Sequence, residues 1–204
     1  MSREVHVRIC EDPGVRFPRV TRLVIAFSNR REARKVLAVL PKRFAKYGLT
    51  LHPGKTRLVD FRRPPRPSPP QDGPPRTFEF LGFTHYWARS RRGHWAVTRK
   101  TAPSRFSRAT RSLTQWCRRN RHQKVGWQHR LLVQKLRGHY GYYGITGNGR
   151  ALERFWEAAK RIWRTWLGRR SDRPMTWARF VRLMQRYPLP KPVVVHSAWR
   201  VAKP

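Results

Sequence analysis

Acidic residues are what this 204-residue chain has least of. Ten Asp and Glu stand against 47 Lys and Arg, a formal net charge of +37. A chain so unbalanced repels itself unless a polyanion neutralises it, which points to nucleic acid first and an acidic membrane surface second. Cysteine is nearly absent too. Cys10 and Cys117 cannot build a disulfide framework, and neither lies in a metal-site pattern of Cys or His. The eight His are scattered, none beside a Cys-x-x-Cys, so no metal site is expected. No apolar run approaches the roughly 20 residues of a spanning helix. The opening MSREVHVRIC has no apolar stretch of signal-peptide type. The expectation is a reduced, cytoplasmic protein with no membrane partner and no cofactor of its own.

What is present sharpens this. Of the 47 basic residues 37 are Arg, the side chain that forks onto phosphate and stacks on bases. Nine Trp within 12% aromatics argue against a merely solvated basic tail. The length suits one ordinary domain or two small ones. Residues 1–18 show no clear periodicity and are expected to be an unstructured or non-homologous N-terminal segment. The run TRLVIAF predicts a buried strand over 21–27. Asn29 with Glu32 reads as a capping box for a helix ending near Gly48. Its stripe is Ala33, Val36, Leu37, Leu40, Phe44 and Tyr47, and a kink is expected at Pro41. Short strands are predicted at Leu49–Leu51 and Thr56–Phe61, completing a segment 19–61. Residues 62–76 hold seven Pro in fifteen positions and read as an extended linker.

Residues 77–102 predict a β-hairpin: TFEFLGFTHYW, a turn at Ser90–Gly93, then HWAVTRKT. From 103 to 190 apolar stripes recur at helical spacing, predicting three or four short helices in a basic bundle, followed by a tail over 191–204. Leu113, Trp116 and Cys117 face inward on the first helix; Leu132, Leu136 and Tyr140 on the second; Trp156 and Trp163 on the third. Thr176 caps the fourth, with Trp177, Phe180, Val181, Met184 and Tyr187 inward. The fold class expected is α+β.

Four strings in order carry a family resemblance: KRFAKYGLTLHPGKTRLVDF (42–61), FEFLGFTHY (78–86), LRGHYGYYGITGN (136–148) and PMTWARFVRLMQRYPLPKP (174–192). Together they resemble the C-terminal part of bacterial group II intron-encoded reverse transcriptase/maturases, over roughly 19–198. The resemblance implies a truncated palm remnant, a primer-grip-like β-hairpin and a thumb/maturase helical bundle. It implies that Lys55 lies near nucleotide phosphates, that Phe80, Leu81 and Gly82 grip a primer strand, and that 103–190 holds intron RNA. Read from the residues alone, Lys55 is better taken as an exposed turn lysine, and FLGF is equally a tight hairpin.

The chain departs from the family where polymerisation needs it most. Aligned on Phe27, the Tyr-Ala-Asp-Asp turn is replaced by Arg19, Val20, Thr21 and Arg22, with no carboxylate between Asp12 and Glu32. Two-metal nucleotidyl transfer needs acidic oxygens holding ions about 4 Å apart. The chain is therefore expected to be a non-enzymatic, RNA-binding maturase-type fragment whose partner is group II intron RNA. The alternatives are a reverse transcriptase fragment completed by a complementary N-terminal chain, with Mg²⁺ entering only then, and a degenerate remnant without a role. The RNA-binding candidates are Arg105, Arg108, Arg111, Arg118, Arg119, Arg121, Lys124, Arg130, Arg137, Arg150, Arg154, Lys160, Arg161 and Arg164.

Overall fold

The computed structural model describes residues 5–9, 23–52, 56–64, 76–90, 92–170 and 174–196. These form six strands and five helices in two units, Met1–Thr98 and Arg99–Pro204. The expected α+β class holds: both sheets have three strands, and the pairings of the first sheet, like that of the first two strands of the second, are antiparallel.

The first sheet corrects the unstructured reading for residues 5–9, the rest of 1–18 lying outside the described residues. β1 (Val5–Ile9) is its central strand, flanked by β2 (Leu23–Phe27) and β3 (Arg57–Asp60) in the order β2-β1-β3. Val7 pairs with Ile25 on one side and Leu58 on the other. VHVRI alternates apolar and polar residues at period two, the signal of a strand, but over five residues it is too short to stand out. The expectation of a strand at Leu49–Leu51 also fails, because only Leu51 makes an isolated bridge.

α1 (Arg30–Ala45) packs on this sheet and continues through Pro41. Asn29 caps it by accepting from the Arg31 N–H at 2.8 Å, one residue earlier than the predicted box geometry. Its buried side is thin. Ala33 is fully buried and Val36, Leu37, Leu40 and Phe44 only partly so, while Tyr47 is exposed.

The segment read as one aromatic strand is two. β4 (Phe78–Phe80) turns back into β5 (Phe83–Arg89), which pairs in turn with β6 (Trp95–Thr101). Phe80 opposes Phe83 across a two-residue turn in which Leu81 and Gly82 both take positive φ, +48° and +80°. That is the signature of a type I′ hairpin, whose twist matches the flanking strands. Phe61, buried, meets the ring of Phe78 edge-on at 4.9 Å and stacks on Trp87 at 5.7 Å. Trp87 Nε1 donates to the Phe61 carbonyl at 3.0 Å, so the residue after β3 is tied to the second sheet.

The second unit is a helical bundle of α2 (Pro103–Arg119), α3 (Val125–Tyr143), α4 (Gly149–Gly168) and α5 (Trp177–Arg186). Pro103 opens α2 at the position where a missing N–H costs nothing. Thr176 Oγ1 accepts from Arg179 N and caps α5 as expected. Leu113, Cys117, Leu132, Leu136, Leu152, Phe155, Ala159, Trp163 and Phe180 form a contiguous buried core. Each large apolar side chain sealed there contributes about 1.5–3 kcal/mol. Trp177 and Val181, expected inward, are exposed instead, at 48% and 53%. A ten-residue helix at the bundle's edge buries a narrow stripe centred on Phe180, and its flanking positions fall outside that stripe.

The segment 188–196 runs alongside α3 in the same direction, from His129 against Pro188 to Gly144 against Val195. Leu189 is buried, Tyr140 Oη donates to the Pro190 carbonyl at 3.1 Å, and Val195 N and His196 N both donate to the Gly144 carbonyl at 2.8 Å. Only glycine fits at 144, since a Cβ would lie 2.2 Å from the Tyr140 carbonyl oxygen and 2.8 Å from that of Val193.

Candidate nucleic-acid surface

The helical unit carries 26 Lys and Arg against three Asp and Glu between Arg99 and Pro204. The imbalance is sharpest across α2 and α3. From Phe80 to Leu152 the sequence has 16 basic residues and no carboxylate. Glu153 and Glu157, the acids among the described residues of this unit, both lie on α4.

On α2 the core side is set by Leu113 and Cys117, and the helical repeat places Arg108, Arg111, Arg118 and Arg119 on the opposite, exposed side. Burial pushes the Cys117 thiol up to about 12, which makes it an inert packing group. Arg121 and Lys124 in the following turn are exposed, as are Arg130 and Arg137 on α3 and Arg150, Arg154 and Arg161 on α4. Arg105 is partly buried; with Arg108 it lies near Tyr143, whose hydroxyl is nonetheless held above its ordinary range by burial.

Three candidates are engaged within the fold. Lys160 pairs with Glu157 at 2.8 Å and sits 3.8 Å over the Trp156 ring. Arg164 donates to the Met175 carbonyl at 3.1 Å and covers Trp177 at 4.3 Å. Arg154 lies 5.4 Å over Phe106, in a shallow cleft shared with Arg150, Arg161, Glu153 and Glu157. Interleaved acids make that α4 face electrostatically mixed. The α2 face has none, so the stronger field for an anion lies along α2 and the turn after it.

Thr21, Arg22 and Lys55 fall outside the described residues. Phe80 is half-buried, Gly82 buried, and Leu81 55% exposed at the turn. Tyr140 is core, Tyr143 half-buried and Tyr142 exposed. Among the described residues, no group of three or more His, Cys, Asp and Glu is placed to hold a metal ion, and no helix is long and apolar enough to cross a membrane.

Sequence reasoning missed the polar groups that hold the surface in shape. Asn148 is fully buried. Its Oδ1 accepts from Thr101 N at 2.8 Å, and its Nδ2 donates to the Tyr143 carbonyl at 2.8 Å, joining the end of β6 to the end of α3. Gln128, 1% exposed, lies four residues before Leu132 on the buried stripe of α3, and a polar residue at a stripe position was the available signal. His139 is wedged between rings, stacked on Phe155 at 3.8 Å and tilted against Tyr143 at 4.6 Å; burial lowers its pKa to about 4. In the first unit, Arg30, Arg31, Arg34 and Arg62 line a cleft at the start of α1 with Asp60. Asp60 accepts from Arg62 Nε at 2.8 Å, which draws its carboxyl below the usual range. Comparison with protein-family models, with curated proteins and with solved structures finds no match to any of them.

Proposed function

We propose that this chain binds RNA through its phosphate backbone and serves as a maturase-type fragment, favouring the folded form of a group II intron RNA, without polymerase activity of its own. The observation that carries the reading is the carboxylate-free α2 face and its following turn. There exposed arginines ride on helices whose apolar sides are already sealed in the core. A solvated helix face needs no such one-signed field, and natural surfaces intersperse both signs. Arginines on rigid helices meet phosphates at fixed spacing and recognise backbone shape rather than base edges. In this reading Lys160 and Arg164 serve the fold, while Arg108, Arg111, Arg118, Arg119, Arg121 and Arg137 face the RNA. Leu81, at the tip of its turn, is the member of the FLGF string best placed to touch a strand.

Fluorescence anisotropy on a structured RNA across a salt series tests this. About six phosphate contacts give a slope of roughly −4 to −5 in log affinity against log salt. Affinity would then fall about 300- to 2,000-fold between 50 and 200 mM salt. A flat profile overturns the reading. Primer extension by the purified chain with Mg²⁺ is expected to yield no product; clear synthesis would favour the polymerase alternative.

A further inference from the structure

The turn between α2 and α3 is held by an unusual device. Gln128 Nε2 donates its two hydrogens to main-chain carbonyls of that turn, Asn120 at 2.9 Å and Gln123 at 2.9 Å, one of them shared with Arg121 at 3.3 Å. Its Oε1 accepts from Trp163 Nε1 at 3.0 Å, which anchors the amide to the centre of the core. Asn120 closes the helix end itself, its N–H and its Nδ2 both donating to the Trp116 carbonyl, at 3.0 and 2.8 Å. A buried glutamine is costly unless every polar atom is matched, and here both ends of the amide are.

These amides satisfy carbonyls that would otherwise draw on basic side chains at a helix C-terminus. Arg118, Arg119 and Arg121 are consequently not consumed in closing α2. Among the described residues none of the three makes an ion pair or a side-chain hydrogen bond, and all three are exposed. Together with Gln115 and His122 they line one shallow depression that has no acidic member. Attraction to the helix dipole accounts for two cations in the last turn, at about 0.3–1 kcal/mol each. It does not account for Arg121 and His122 beyond that turn, nor for a core-anchored amide that fixes the backbone carrying them.

We infer that this depression is a preorganised site for adjacent phosphates of an RNA strand, with Gln128 as its positioning residue. The inference rests on the RNA-binding reading above and localises it: the anchor is the α2–α3 turn rather than the basic surface at large. Fixing the turn before binding removes ordering entropy that flexible arginines would otherwise lose on contact.

The test uses the full chain and an RNA stem-loop, read by anisotropy over a salt series. Arg118→Ala/Arg119→Ala/Arg121→Ala is compared with Arg170→Ala/Arg182→Ala/Lys191→Ala, which removes equal charge from exposed positions of the same unit. The first triple should lose about two from the salt slope and tenfold or more in affinity, and the control much less. Gln128→Met should weaken binding in the wild-type background and raise hydrogen exchange in residues 119–124. In the arginine-triple background it should cost no further affinity. A residue that merely stabilises the fold would weaken both backgrounds alike. If Gln128→Met does not fold, Asn120→Ala perturbs the same turn more gently and should show the same non-additivity. Equal losses in the two triples, or additive costs for the turn variants, overturn the site while leaving RNA binding intact. Absence of salt-dependent binding by the wild-type chain overturns both.

Discussion

Acid should weaken the helical unit through one histidine. His139 packs against Phe155 and Tyr143 with its pKa lowered to about 4 by burial, against 6.5 for the free side chain. The unfolded chain therefore takes up this proton first. Stability from the neutral ring is complete above about pH 6.5 and falls as the pH drops toward 4; below that both forms are protonated and the loss levels off. Between pH 7 and 5 the difference is about 2 kcal/mol. That is a ceiling, because part of the ring reaches solvent, where charge is screened. For a unit of about 100 residues it corresponds to roughly 8–15 °C in melting temperature. Thermal unfolding followed by circular dichroism at pH 7, 6 and 5 measures it, with His139→Phe as comparison. The variant keeps a flat ring against Phe155 but cannot be protonated, so its stability should fall less on acidification by that amount. Parallel pH dependences for the two chains would refute the argument, whatever other groups titrate.

Three further outcomes follow from the geometry. Asn148→Ala strands Thr101 N and the Tyr143 carbonyl in the interior and should cost about 3 kcal/mol in urea unfolding; Asn148→Asp, which keeps the acceptor and loses the donor, should also destabilise. Leu81→Asn should stabilise the first unit by about 1 kcal/mol, because leucine at φ +48° is strained and Asn-Gly suits a type I′ turn; lower stability in guanidinium unfolding would show that the leucine side chain is held by packing. In a Cys10→Ser chain, the Cys117 thiol, 1% exposed with its pKa pushed up to about 12, should resist a disulfide reagent at pH 8 until denaturant is added.

The helical half was legible from residues 103–190 because amphipathic periodicity is a local signal. The stripe on α4 names its buried residues directly, and Thr176 marks the start of α5. Charge was legible as well, since 26 basic residues against three acids is a fact of composition. What sequence could not decide was partnership between distant segments. VHVRI becomes a central strand only because β2 and β3 lie on either side of it, and FLGF divides one apparent strand because two successive residues adopt positive φ. The same holds for the surface. Composition supplies the arginines, but which of them turn inward to Met175 and Trp177, and which stand on a turn fixed by Gln128 and Trp163, depends on contacts 11 to 35 residues apart. Short-range patterning determines where helices and charge lie; only tertiary packing, which matches buried polar atoms across the chain, determines which charges stay outside and rigid.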